Sequence, residues 1–292
     1  VTSLTIIIPF LKKTDTELFE ATLLSILENR HEEDNILVVN AASYDNCYDL
    51  SQEDGVLFCP ADPQTEQVEA FNIGIQNSTT PYVCPILCGC VVGEGWAESA
   101  LSLLAESDVA MVVPQMRKTT AGGRDTSSFG YALSSDGVLL PIRSATLPMN
   151  TLPAPGPGGA FFRRQTLLDL GLFQAALGDW ALADMAILIT NLGNGVLYEP
   201  GTILTYDATA LPPPSQSARI TAQETLFRRW SGLWKKSAGT AHALRLFKER
   251  IFGGSALRRA YTKAQKRLTV PSPDQLLAAA RKAISQRGES AE

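Results

Sequence analysis

Three segments within the first forty residues constrain this chain more than anything else in it. Leu4-Thr5-Ile6-Ile7-Ile8-Pro9 is an almost continuous apolar, β-branched run, and Asn35-Ile36-Leu37-Val38-Val39-Asn40 is a second. Runs without polar alternation suit strands covered on both faces. Between them Leu18, Phe19, Thr22, Leu23, Ile26 and Leu27 recur at helical spacing, with Thr14, Asp15 and Thr16 available to cap the helix start. A strand, a helix and a strand so spaced dictate a right-handed βαβ unit and hence a parallel sheet.

The alternation continues with strands expected at Val56–Cys59, Tyr82–Leu87 and Val109–Val113, and helices at Thr65–Gln76 and Trp96–Glu106. The result is an open, mostly parallel α/β sheet flanked by helices. Its ligand crevice lies outside the carboxyl ends of the strands, so functional residues are sought after Pro9, Val39, Cys59 and Leu87. Residues 118–157 are rich in Gly, Ser, Thr and Pro, with a hairpin predicted over Ser127–Ile142 around Ser135-Asp136-Gly137. Helical spacing returns at Arg164–Leu170 and Leu182–Leu192, each closed by a glycine, Gly171 and Gly193, and a short strand follows at Val196–Tyr198. Pro212-Pro213-Pro214 is a stiff spacer. The chain therefore divides into a domain over residues 1–207, a proline-rich linker over 208–214 and a basic helical extension over 215–292.

Charge follows the same division. Up to Pro214 there are nine Lys/Arg against twenty-five Asp/Glu, and from Ser215 onward sixteen against five. A basic tail asks for an anionic partner, and membrane lipid, nucleic acid or the acidic body itself meets that demand. No recognition module for nucleic acid is present, which leaves the other two. Ile220, Leu226, Phe227, Trp230, Leu233 and Trp234, interleaved with Arg228, Arg229, Lys235 and Lys236, form a stripe that suits an anionic membrane surface or docking on the body. No apolar run of about eighteen residues exists, so no transmembrane helix is expected. Val1–Phe10 lacks the basic and apolar order of a signal peptide. The expected location is cytoplasmic, with a peripheral position at the inner face of the membrane as the alternative the tail allows.

The cysteines Cys47, Cys59, Cys84, Cys88 and Cys90 are odd in number and clustered, which predicts free thiols. Strand alternation puts Cys84, Cys88 and Cys90 on one face, as core packing or a soft-metal site; neither His31 nor His242 is adjacent, which favours packing.

Three blocks, in order, carry a family resemblance. The first joins Leu4–Pro9 to Ile36–Asp45. The second is Ala70-Phe71-Asn72-Ile73-Gly74-Ile75 with Pro81-Tyr82-Val83. The third runs from Gly158-Gly159-Ala160-Phe161-Phe162-Arg163-Arg164 through Gly171-Leu172-Phe173 to Asp184 and Gly193. Together they resemble the family-2 glycosyltransferases over residues 3–207, which implies a GT-A fold. It also implies transfer of a sugar from a nucleotide-sugar donor to a hydroxyl on a glycan or lipid-linked acceptor, in glycan synthesis.

The resemblance places substrate contacts at Pro9, Asn40, Ser43, Asp45, Asn72, Gly159, Arg163, Arg164 and Trp180. Where the family has acidic residues ending the second strand, Asn40 and Ala41 stand here. Where it has a metal-binding Asp-x-Asp, Cys88-Gly89-Cys90 stands. Thiolates are poor partners for Mg²⁺ or Mn²⁺, so no metal cofactor is expected unless another carboxylate, Asp45 or Asp62, substitutes. Of the family's acidic pair near the acceptor only the second carboxylate, Asp184, is kept; it is the expected general base, against a solvated carboxylate on a helix. Arg163 and Arg164 hold a diphosphate or are a solvated pair, and Trp180 stacks on a sugar or packs on the body. The competing function is a non-catalytic binding or scaffold protein on the same fold.

Overall fold

The computed structural model describes residues 3–45, 55–106, 108–119, 126–128, 131–134, 139–142, 151–156, 158–207, 224–232 and 271–291. Cys47, Ser135-Asp136-Gly137, the Pro212–Pro214 spacer, and Ile220, Leu233, Trp234, Lys235 and Lys236 lie outside the described residues.

The first half alternates as expected: β1 (Leu4–Phe10), α1 (Thr16–Asn29), β2 (Asn35–Asn40), β3 (Val56–Pro60), α2 (Gln67–Asn77), β4 (Tyr82–Pro85), β5 (Cys90–Val91), α3 (Glu98–Ala105) and β6 (Val109–Thr119). Short strands follow, β7 (Thr126–Ser128), β8 (Tyr131–Ser134), β9 (Leu139–Pro141), β10 (Thr151–Ala154) and β11 (Phe161–Arg163). Next come α4 (Arg164–Asp169), a 3₁₀ turn (Ala175–Trp180), α5 (Ala181–Leu192) and β12 (Gly195–Asp207). Further along the chain lie a short helix over residues 224–229, here α6, and α7 (Pro273–Ala291).

Among the described residues nine strands form the main sheet, in the order β3-β2-β1-β4-β11-β6-β12-β5 with β7 paired to β6. β1, β2, β3 and β4 are mutually parallel. β11 enters antiparallel between β4 and β6, so β6 and β12 again run parallel to β1. A second, antiparallel sheet has the order β10-β8-β9. Its β8 and β9 are the two arms of the predicted hairpin.

Two-sided burial explains the uninterrupted apolar strands. Ile6, Ile8, Ile36 and Val38 face α1 and α3, while Ile7, Leu37 and Val39 face α2, α4 and α5. α1 starts where Asp15 accepts a bond from the Leu18 N–H at 3.2 Å, and α5 ends at Gly193 with φ of 101°. β12 departs most from expectation. Glu199-Pro200-Gly201 looks like a strand stop after Tyr198, but the sheet absorbs it as a register shift between Glu199 and Ile203 and pairing resumes to Asp207.

The described part of the extension is docked. Leu226, Trp230, Leu277 and Ala280 are buried in the same core as α2, α4 and α5. Arg287 pairs with Asp169, and Arg281 donates to the Asn191 carbonyl. Of the stripe that suited membrane or body, Leu226 and Trp230 have gone to the body. Among the described residues no helix is long and apolar enough to cross a membrane.

Candidate functional site

The register of β3, β2, β1 and β4 brings their carboxyl ends together: Phe10 lies opposite Asn40, Asn40 opposite Pro60, and Ile7 opposite Pro85. Two turns meet at this edge. In the first, Asn40 Oδ1 accepts the Tyr44 N–H at 3.0 Å, and Ser43 takes a left-handed φ of 55°. That geometry is unusual for a residue with a side chain and marks a constrained turn. Tyr44 anchors it from below, packed among Phe10, Phe19 and Phe58 with its hydroxyl on Glu20 Oε1 at 2.6 Å. Asp45 follows, exposed. Asp62, after β3, accepts from the Gln64 N–H at 2.7 Å and so forms a turn of its own.

The second turn is Leu87–Cys90. Cys88 Sγ donates to the Pro9 carbonyl at 3.1 Å, and the Cys90 N–H closes on Leu87 O at 3.1 Å. Thr22 of α1 accepts the Gly89 N–H at 2.8 Å. Gly159 is needed here: a Cβ on it would lie 2.2 Å from Pro85 O, and its φ is 141°.

The residues of this turn do not fit a hard divalent cation. Cys90 is fully buried, Cys88 is spent on Pro9, and neither offers oxygen. Among the described residues no group of three His, Cys, Asp or Glu is placed to hold a metal. Burial pushes the Cys88 thiol up to about 12, and pushes Cys84 and Cys90 above the ordinary thiol range. All three therefore stay protonated at neutral pH.

That burial predicts a pH effect on folding. The folded thiols sit above their unfolded values, so their contribution is fully present below the ordinary value of 9.0 and is lost as pH rises toward the folded ones. Each fully buried thiol costs about 1.4 kcal/mol per pH unit in that window. Urea melts should show lower stability at about pH 10 than at about pH 8, and Cys84→Ala/Cys90→Ala should remove the share due to those two thiols while the share of Cys88 remains. An unchanged pH dependence in the double variant would show that the thiols ionise in the fold.

Other expected contacts lie elsewhere. Arg163 and Arg164 are at the opposite end of the sheet, since Arg163 pairs with Tyr82 at the start of β4 and the Arg164 N–H donates to Pro81 O. Arg163 Nη2 holds Leu104 O at 2.7 Å and Glu106 O at 2.8 Å, and Arg164 Nε holds Ile75 O at 2.9 Å. Both guanidinium groups satisfy carbonyls left open at the ends of α3 and α2, the place where cations suit a helix dipole. The geometry thus corrects the diphosphate role and the solvated-pair alternative alike. Asn72 uses both halves of its amide on the Phe173 backbone, at 2.8 and 3.0 Å, tying α2 to the loop after α4. Trp180 is half-buried against the core on the α2 side.

Asp184 is 1% exposed, on a helix whose first nine residues are all buried. Its Oδ1 accepts from Arg229 Nε and from Trp230 Nε1, each at 2.7 Å. Arg229 is also buried, and its Nη1 reaches Pro271 O at 2.6 Å. Burial raises the Asp184 carboxyl above its ordinary range, and the Arg229 charge pulls it back. Arg229 and Trp230 were not among the expected site residues. The available signal was the lone acid within Ala181–Ile189, because a buried carboxylate needs a buried donor from somewhere.

Residues 5–165, just over half of the chain, match the family model described as glycosyl transferase family 2. No curated protein matches the chain. Among solved structures, GalNAc-T7 with UDP, GalNAc and Mn2+ is 12% identical with a TM-score of 0.59, covering 85% of this chain and 54% of that one. The mannosyltransferase PcManGT from Pyrobaculum calidifontis with GDP-Man and Mn2+ is 15% identical, TM-score 0.51, covering 98% and 75%. S. aureus TarS 1-349 with UDP is 12% identical, TM-score 0.52, covering 77% and 64%. At these identities the likeness establishes the GT-A fold. The chain spans about half the length of the first of these proteins.

Proposed function

The chain belongs to glycosyl transferase family 2, and from that premise we propose that it transfers a sugar from a nucleotide-sugar donor to a hydroxyl on a glycan or lipid-linked acceptor, without a carboxylate-bound divalent cation. One observation carries the reading: the Asn40–Asp45 and Leu87–Cys90 turns flank the carboxyl end of β1, the first bonded to it by the Ala41 N–H on Phe10 O and the second by Cys88 Sγ on Pro9 O, at the edge where an open parallel α/β sheet binds its ligand. Pro9, Asn40, Ser43, Asp45 and Gly159 are assigned to the donor side. Asn40 Oδ1 is taken by Tyr44, so base recognition falls to its Nδ2 donor. Asp184 is the assigned base. The acceptor O–H bond breaks as that oxygen bonds the anomeric carbon, the proton passes to Asp184 Oδ2, and the leaving electron pair departs with the nucleoside diphosphate. Contact with an anionic membrane, given the burial of Leu226 and Trp230, falls to Trp234, Lys235 and Lys236.

Calorimetric titration of UDP and GDP, with Mn²⁺ and then with EDTA, tests the metal-free donor site. The expected affinity is the same in both, within about twofold. A large Mn²⁺-dependent gain would mean that Asp45 or Asp62 recruits a cation, and the assignment of the second turn would have to be abandoned. The neutral thiols at Cys88 and Cys90 also favour a second reading, a family member that binds nucleotide and performs no transfer. Binding of UDP or GDP with no nucleoside diphosphate released from any donor sugar would establish that alternative.

A further inference from the structure

Asp184, its helix and everything that touches its carboxylate lie beyond the residues that match the family model. From the convergence of two donors on one carboxylate oxygen we propose that Arg229 and Trp230 are positioning residues: they fix Asp184 Oδ1, and so reserve Oδ2 for the acceptor's proton. The inference rests on Asp184 being the base. Its physical ground is that a carboxylate with 1% exposure loses its charge unless a buried partner keeps it, and a base without charge takes no proton. Arg229, itself buried, is that partner at 2.7 Å, and Trp230 adds a directional bond without charge. The extension is thereby part of the site, since Arg229 ends α6, Trp230 follows it directly, and Pro271, just before α7, holds Arg229 from behind.

Arg229 is the charge acting on Asp184. Of the other ionisable groups on elements packed against α5 or beside Arg229, Glu224 and Arg228 of α6 pair with each other at 2.7 Å. Arg281 and Arg287 of α7 are held by Asn191 O and Asp169, while Asp274 and Lys282 share that helix. Tyr198 and Glu199 lie on β12, and Arg117 and Lys118 on β6.

The test uses the full chain carrying Arg229→Met, Arg229→Lys or Trp230→Phe, with ¹³C-labelled Asp carboxyls followed by NMR against pH. The Asp184 resonance is identified by its loss in Asp184→Asn. Arg229→Met should raise its titration midpoint by about one pH unit or more, Arg229→Lys should restore most of that shift, and Trp230→Phe should raise it less. The acid limb of UDP-GalNAc and GDP-Man hydrolysis should move with it, while the donor KM stays in place. A midpoint that moves by less than about 0.3 units in Arg229→Met overturns the positioning role, whatever the activity. Should the parent and Asp184→Asn chains release nucleotide equally fast or equally slowly, the base assignment fails, and the midpoint still decides whether Arg229 sets the carboxylate.

Discussion

A chain ending at Pro214 is expected to lose at least roughly 5 kcal/mol of folding stability and to melt about 10–20 °C earlier than the full chain, if it stays soluble at all. The cut removes the buried side chains of Leu226, Trp230 and Leu277, each worth about 1.5–3 kcal/mol of transfer from water. It also leaves Asp184 in an apolar helix without either donor, and breaking such a buried pair costs about 3–5 kcal/mol before relaxation by protonation. Total stabilities are only about 5–15 kcal/mol, so the loss is a large share. Trp230→Ala in the full chain isolates one part of it, with an expected cost of about 3–5 kcal/mol from the lost burial and the cavity together. A truncated chain as stable as its parent would mean that the extension does not contribute to the core. The stripe containing Leu226 and Trp230 would then be available to a membrane.

Asp184→Asn is the second large effect. Turnover is expected to fall by about a hundredfold or more, the range of a lost general base, with the donor KM nearly unchanged. The amide keeps an oxygen for Arg229 and Trp230, so hydrogen bonding survives, while the buried guanidinium loses its counter-charge and some stability is lost with it. Rates must therefore be scaled to the folded fraction, measured by melting under assay conditions. Undiminished turnover per folded molecule would remove Asp184 from the mechanism and leave it as the structural partner of Arg229.

Much of the sheet was legible because its cause is local. Ile6, Ile7 and Ile8 leave no polar face, so a strand between two helical layers is the only home for them, and the spacing of Phe19, Leu23 and Ile26 supplies one of those layers. The glycine caps at Gly171 and Gly193 were legible for the same reason, since each sits at positive φ just past a helix. β11 was not. It is three residues long, and it is a strand only because β4 and β6 leave a gap for Phe161 and Phe162 to fill. The continuation of β12 past Pro200-Gly201 likewise depends on β6 lying alongside to receive Ile203–Asp207.

The site divides along the same line. By itself the sequence determined the βαβ order and the strand ends near Pro9 and Asn40, because these follow from neighbours in the chain. Only the tertiary structure decided what the charged side chains do. Arg163 and Arg164 look like anion ligands beside Gly158-Gly159, yet an antiparallel strand carries them to the far end of the sheet, where open helix carbonyls claim them. Asp184 looks like a residue on a helix surface, yet Arg229 and Trp230, forty-five and forty-six residues away, enclose it. Charge and hydrogen bonding in a buried site are set by whatever the fold brings within about 3 Å, and sequence distance carries no information about that.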